Sequence, residues 1–337
     1  MINQNFINAF IFSKWGIMLG YLILYMIFGG ILLAYGSDWF IEGSTSVAKH
    51  FNVSNFVIGA TIVAFGTSLP EIVTSSGAAL SGSPGLAVGN AVGSCIANIG
   101  IILGISVLMY PLIIKKHAII KNGNIYLIAT ILLVILGYNG FSRFDGLILF
   151  LFMIIYVIYT IKTSESDEEE IISDITVKKA SIFIIVGLLA VILGSDLFIE
   201  GAKGIAEYFN VPESIIGFSL VAFGTSLPEL ASSVAAAKRK LGSIVLGNVI
   251  GSNIANTCVA LSFSAMIVDI PKYNVELMVN TIMALLIIFT MNREKIKKML
   301  NFKNFRTDYF SKIDRIDGIS YILIYLIFLA YLLGYIF

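Results

Sequence analysis

Ten long apolar runs, separated by short polar breaks, make up almost the whole chain. They lie near residues 17–42, 53–80, 86–113, 124–141 and 144–162, and again near 180–204, 212–237, 244–269, 275–291 and 317–337. A helix crosses the roughly 30 Å hydrocarbon core of a bilayer with about 20 apolar residues, so each run is long enough for one span. The pattern predicts an all-α integral membrane protein with ten transmembrane helices. Residues 1–15 precede the first run, with Lys14 and Trp15 at their end. The basic residue comes late and no small-residue cleavage site follows, which predicts an interfacial segment instead of a signal peptide.

Polar residues inside the runs are not spread evenly. They concentrate in the second, third, seventh and eighth, and they repeat. Residues 63–71 and 221–229 carry the same nine letters, Val-Ala-Phe-Gly-Thr-Ser-Leu-Pro-Glu, offset by 158 positions. The offset holds without a gap from Gly36/Gly194 to Asn98/Asn256, taking in the Gly89-Asn90 and Gly247-Asn248 stretches. About half of the aligned pairs are identical, which marks an internal duplication. The expected division is a first five-helix repeat over 1–162, an acidic linker over 163–178, and a second repeat over 179–337. The linker run, Ser164 to Glu170, lacks the glycine turn and spaced oxygens of a calcium-binding loop and reads as a solvated connector.

Five spans is an odd number, so the second half must enter the membrane upside down relative to the first, giving an inverted repeat. Charge agrees with this count. With the N-terminus outside, 18 of the 22 Lys and Arg residues fall in inside loops. Both termini are therefore expected outside, in a multi-pass protein of the cell membrane.

Composition sharpens the class. The chain is 58% hydrophobic and 13% charged, with mean hydropathy +0.92, against about 25% charged residues in soluble domains. The net charge of +1 says nothing about nucleic acid, but the basic residues are dispersed among loops instead of clustered on a face, so no nucleic acid is expected as a partner. Cys95 and Cys258 stand at non-corresponding positions and read as small packing residues, while His50 and His117 fall in expected loops beside lysines. No protein partner is evident.

The repeated stretch carries the chemistry. Proline lacks an N–H and clashes with the carbonyl four residues back, so Pro70 and Pro228 are expected to break their helices at Gly66 and Gly224. Broken backbone in a membrane is tolerated where it lines a cavity. Carbonyls near Ala64, Thr67, Ala222 and Thr225 become candidate ligands. The hydroxyls of Thr67, Ser68, Thr225 and Ser226 and the carboxylates of Glu71 and Glu229 add side-chain oxygens. Ser94, Asn98, Ser252 and Asn256 supply more from the neighbouring spans. An all-oxygen site with two negative charges suits a hard cation such as Ca²⁺, which takes 6–8 oxygens. Asp38, Glu42, Asp196 and Glu200 read as interfacial or capping groups near span ends. An empty site would carry about −2 in a low-dielectric interior and resist reorientation, whereas a loaded one is neutralised, which favours exchange over leak.

The two Gly-Thr-Ser-Leu-Pro-Glu motifs, each followed by Gly-Asn-x-x-Gly-Ser, resemble the α-repeats of the cation/calcium antiporter superfamily, in particular its archaeal-type sodium/calcium exchangers. The resemblance covers nearly the whole chain and implies ten helices in two inverted repeats, with broken helices lining a central site reached from alternate sides. It implies that Glu71 and Glu229 ligate calcium and share sodium, with Thr67 and Thr225 contributing carbonyls. Ala64, Thr67, Ser68 and Ser94 would build one flanking sodium site, and Ala222, Thr225, Ser226 and Ser252 its counterpart, with Asn98 in the middle. Asn256 stands where the archaeal relatives carry an aspartate, which argues against potassium coupling. Gly89-Asn90 and Gly247-Asn248 lead to glycine and serine where the proton-coupled branch has a glutamate. The expected function is an electrogenic Na⁺/Ca²⁺ antiporter that extrudes calcium, with the two ions as its transported substrates and no cofactor. A Ca²⁺/H⁺ exchanger is the alternative, and a cation channel a further one. An intramembrane hydrolase has no nucleophile–base pair to support it, so no enzyme is expected.

Overall fold

The computed structural model describes residues 14–163, 175–209, 224–300, 310–332 and 334. The helices are α1 (Lys14–His50), α2 (Asn55–Thr67), α3 (Leu69–Leu80), α4 (Pro84–Met109), α5 (Lys116–Gly137) and α6 (Arg143–Lys162) in the first half. The second half has α7 (Val177–Tyr208), α8 (Leu227–Lys238), α9 (Gly242–Ile267), α10 (Asn274–Leu300) and α11 (Arg315–Leu332). A short antiparallel pair, β1 (Leu112–Lys115) and β2 (Phe310–Ile313), joins the connection after α4 to the one after α10.

Among the described residues seven helices are long and apolar enough to cross a membrane, and α2 with α3 forms an eighth span bent by 47°. The fourth expected span is α5, apolar over Gly123–Gly137. The seventh is represented by α8, its first half lying outside the described residues. Every one of the ten expected positions thus holds a helix. The acidic run at 164–170 and the N-terminal segment up to residue 13 also lie outside the described residues.

Several boundaries differ from expectation. The first span does not close near residue 42: α1 runs on for 37 residues to His50, about 55 Å at 1.5 Å per residue. Nothing between Gly36 and Gly43 stops it, because glycine costs a packed helix only about 1 kcal/mol and here admits a neighbour. His50 is consequently the last residue of α1 instead of a loop residue, and His117 lies in the first turn of α5. Asp38 and Glu42 are not caps. They lie in mid-helix, each with a carboxylate oxygen 3.6 Å from Arg239 just beyond α8. Asp196 and Glu200 likewise lie inside α7.

Two kinds of packing hold the bundle. α1 and α7 touch backbone to backbone: a Cβ placed on Gly187 would sit 2.6 Å from the Phe40 nitrogen, and one on Gly36 3.0 Å from the Gly187 carbonyl. Their other faces show Tyr21, Leu24, Phe28, Ile185 and Leu189, the exposed apolar surface expected against lipid. At the centre lie α4 and α9. All of the apolar window of α9 is buried, and 72% of that of α4, against 11% for α1. These two helices carry the Gly-Asn-x-x-Gly-Ser stretches.

Candidate cation site

The break in the second span falls at Ser68, two residues later than Gly66. α2 continues through Thr67, Ser68 leaves the helical region at φ −83°, ψ 5°, and α3 begins at Leu69 with Pro70 in its first turn. Proline suits that place because the first-turn N–H has no intrahelical acceptor to lose. The clash it imposes is met by bending the chain just before it, while the upstream turn survives: Ser68 N–H still donates to the Ala64 carbonyl at 3.0 Å. Pro70 leaves the Gly66 carbonyl without its i+4 donor. In the second half Ser226 has the same geometry, φ −91°, ψ 6°, immediately before α8, so the break there is also two residues later than the expected Gly224.

Each bend sets a glutamate in the first turn of a new helix, Glu71 in α3 and Glu229 in α8, 0% and 1% exposed. The helix N-terminus favours negative charge there. Their hydrogen bonds cross between the halves. Ser68 Oγ donates to Glu229 Oε1 at 2.9 Å, and Ser226 Oγ to Glu71 Oε1 at 3.4 Å. Each repeat thereby supplies the hydroxyl that holds the other repeat's carboxylate.

The backbone of each glutamate is clamped by its own half. Asn90 Nδ2 donates to the Glu71 carbonyl at 3.1 Å and to Ser75 Oγ at 2.8 Å. Its counterpart Asn248 donates to the Glu229 carbonyl at 3.4 Å and to Ser233 Oγ at 2.9 Å. Thr67 Oγ1, which donates to the Val63 carbonyl at 3.0 Å, and Ser252 Oγ both stand 3.5 Å from Asn248 Oδ1, which sets α9 against α2. Asn90 and Asn248 belong to the repeated sequence motif but not to the expected site residues. Their signal was present: each is the one amide inside a Gly-x-x-x-Gly stretch, at matched positions.

Of the expected site residues, Ser68 and Ser226 hold these carboxylates directly. Thr67, Ser68, Ser94, Asn98, Ser226, Ser252 and Asn256 are all buried, and Thr225 is half-buried with its Oγ1 enclosed. Asn90, Ser94 and Asn98 follow at four-residue intervals along α4, and Asn248, Ser252 and Asn256 repeat this spacing on α9. Asn98 and Asn256 each open a turn of wider, π-helical winding, which rotates the helix face locally. Ala64 differs from expectation: its carbonyl accepts the Ser68 N–H at 3.0 Å and faces the Thr67 and Ser252 hydroxyls at 3.4 and 3.5 Å. Ala222 lies outside the described residues.

What remains unsatisfied is almost all oxygen. Glu71 Oε2, Glu229 Oε2, Thr225 Oγ1, Asn98 Oδ1 and Asn256 Oδ1 are buried with no hydrogen-bond partner. Buried polar atoms are ordinarily paired, so these five acceptors, two of them carboxylate oxygens, are of the kind that a hard, oxygen-seeking cation takes. No cluster of three or more His, Cys, Asp or Glu is found among the described residues, so a soft transition-metal centre has no ligand set there.

Comparison with known proteins places this arrangement. The family described as sodium/calcium exchanger protein matches residues 21–162 and 179–334. MJ0091, an uncharacterized membrane protein of Methanocaldococcus jannaschii, is 46% identical over 274 residues, covering 81% of this chain and 90% of that one. The sodium/calcium exchanger MaX1 of Methanosarcina acetivorans is 32% identical over 330 residues, covering 82% and 93%. The solved structure of the sodium-calcium exchanger NCX_Mj soaked with zero Na⁺ and Ca²⁺ superimposes with TM-score 0.82 at 44% identity, covering 93% of this chain and 99% of that one. With 2.5 mM Na⁺ and 0.1 mM Ca²⁺ in the soak the TM-score is 0.80 over 92% and 97%. The fold is accordingly an all-α membrane bundle of ten helices in two inverted five-helix repeats. This chain belongs to the sodium/calcium exchanger protein family.

Proposed function

We propose that the protein is a secondary antiporter exchanging Na⁺ for Ca²⁺ by alternating access, electrogenic and independent of K⁺, and normally extruding Ca²⁺. The observation that carries this reading is the buried pair Glu71 and Glu229, each held through one oxygen by the opposite repeat and each left with a second oxygen lacking any donor. Calcium would lie between these free oxygens, with Thr67, Thr225, Asn98 and Asn256 completing its shell. Sodium would take the same carboxylates together with Ser68, Ser94 and Ala64 on one side and Ser226, Ser252 and Ala222 on the other. Two carboxylates neutralise one Ca²⁺, and an empty site of charge −2 is costly to reorient in a low-dielectric interior, so each passage requires a load. Asn256, neutral where a third acid would add charge, supports K⁺-independence. The basic inside loops support an arrangement with both termini outside, and residues 1–162 and 179–337 as the two repeats joined by an acidic connector.

Proteoliposomes loaded with Na⁺ test this reading against vesicles loaded with K⁺ or carrying a proton gradient. Calcium uptake should need internal Na⁺, should respond to membrane voltage, and should disappear in Glu71→Gln and Glu229→Gln. The unpaired carboxylate oxygens would equally take protons, so Ca²⁺/H⁺ exchange is the second reading, and uptake driven by the proton gradient alone would establish it instead. Uptake with no countergradient would point to a channel.

A further inference from the structure

The two central amides, Asn98 and Asn256, occupy matched positions but are held differently. Asn98 Nδ2 donates to Asn253 Oδ1 at 2.9 Å. Asn253 Nδ2 donates in turn to the Cys95 carbonyl at 3.2 Å and to the hydroxyl of Tyr126 on α5 at 2.8 Å. The chain of bonds has one possible polarity. A backbone carbonyl only accepts, so Asn253 must turn its nitrogen toward Cys95, which turns its oxygen toward Asn98. Asn98 must then answer with nitrogen, and its oxygen is left free and buried.

Asn256 has no such support. The position that corresponds to Asn253 in the first half is Cys95, 158 residues earlier, whose thiol donates weakly to the Asn253 carbonyl at 3.5 Å. Both ends of the Asn256 amide are unpartnered. Behind the pinned amide lies a small cavity of about 10 Å³, lined by Tyr126, Thr130, Asn253, Thr257 and Asn280 among others.

We propose that Asn253, anchored by Tyr126 and the Cys95 carbonyl, is a positioning residue that fixes Asn98 with its oxygen toward the cation, while Asn256 is left free to turn. This rests on the exchange reading above. An amide turned the wrong way would present N–H donors to a cation, which repels it. The pinned side therefore offers a constant ligand. The free side can offer oxygen to a bound cation or its N–H to a carboxylate when the cation leaves. The half-sites are chemically unequal although their motifs match.

The test is calcium binding to purified, detergent-solubilised protein by calorimetry, with unfolding temperature as a check on folding. Asn253→Leu should weaken Ca²⁺ binding about 10- to 100-fold, as loss of a group that orients a ligand does. Tyr126→Phe, which leaves the Cys95 anchor in place, should weaken it by under about tenfold. Both are then repeated with Asn98→Asp, whose side chain presents oxygen whichever way it turns. In that background neither variant should lower the affinity. Equal losses in both backgrounds would show a general structural effect and overturn the proposal, as would unchanged binding in Asn253→Leu alone. Absence of Ca²⁺ binding by the unmodified chain would sink the exchange reading itself, and the oriented Asn98 with it.

Discussion

The helix pair α1/α7 and the helix pair α2/α9 are both brought together by glycine, yet they carry different burdens. In the outer pair, Gly36 and Gly187 bring two backbones together beneath an apolar, outward-facing surface. Within α9, Gly251 does the same against α2: a Cβ there would sit 2.6 Å from the Ala60 carbonyl. The difference is what lies one turn away. Beside Gly251 stand Asn248 and Ser252, which face Thr67 Oγ1 and the Ala64 carbonyl of α2, each at 3.5 Å. Close approach makes an apolar contact in the outer pair and sets ligand geometry in the inner one.

Identical substitutions should separate the two roles. Gly251→Ala and Gly187→Ala each force a methyl into backbone, at about 1–3 kcal/mol of stability. We expect Gly251→Ala also to lower Ca²⁺ affinity by more than about tenfold, since displacing a group that orients a ligand typically costs that much. Gly187→Ala should leave affinity within about twofold and act on stability alone. Equal affinity losses would erase the distinction. Gly30, with nothing within 4 Å of an added Cβ, is the control on α1 and should tolerate alanine.

A smaller contrast lies inside the centre. Ser68 holds Glu229 at 2.9 Å whereas Ser226 holds Glu71 at 3.4 Å. Ser68→Ala should therefore cost more unfolding free energy than Ser226→Ala, about 1–2 against under about 1 kcal/mol. Differential thermal unfolding in ion-free buffer reads this order, and equal losses would mean that the two crossed bonds are equivalent in solution. Least of all should come Arg239→Ala. Its partners Asp38 and Glu42 are 41% and 29% exposed, so we expect about 0–1 kcal/mol, shrinking further with added salt.

Much of this was readable from the chain. The doubled nine-residue motif located both carboxylates and both hydroxyl pairs, and the odd number of spans implied the inversion. Length of apolar run located all ten helices because the bilayer imposes it. The exact bend was not readable: proline marks that a helix must give way, but whether it gives at Gly66 or Ser68 depends on the packing of the turn before it. Nor could Asn253 or Tyr126 be singled out. Their partners lie 127 to 158 positions away, and neither belongs to a matched pair of polar residues, so no periodicity and no repeat points to them. The length of α1 was missed for a related reason. Glycines that look like a stop in one dimension are a docking face once α7 is beside them.

The crossed bonds also set an order of events during synthesis. Glu71 receives its hydroxyl from Ser226, which is 155 residues further along. Until that part of the chain has entered the membrane, the first half holds a buried acid with an unfinished environment, an expensive residue for lipid to accept. Insertion of the second half ends that condition for both acids at once. For this protein, arrival of the last third of the chain is a chemical step as much as a spatial one: a nascent first half on its own would be a target for membrane quality control, and a truncated product would announce itself through one unsatisfied carboxyl group.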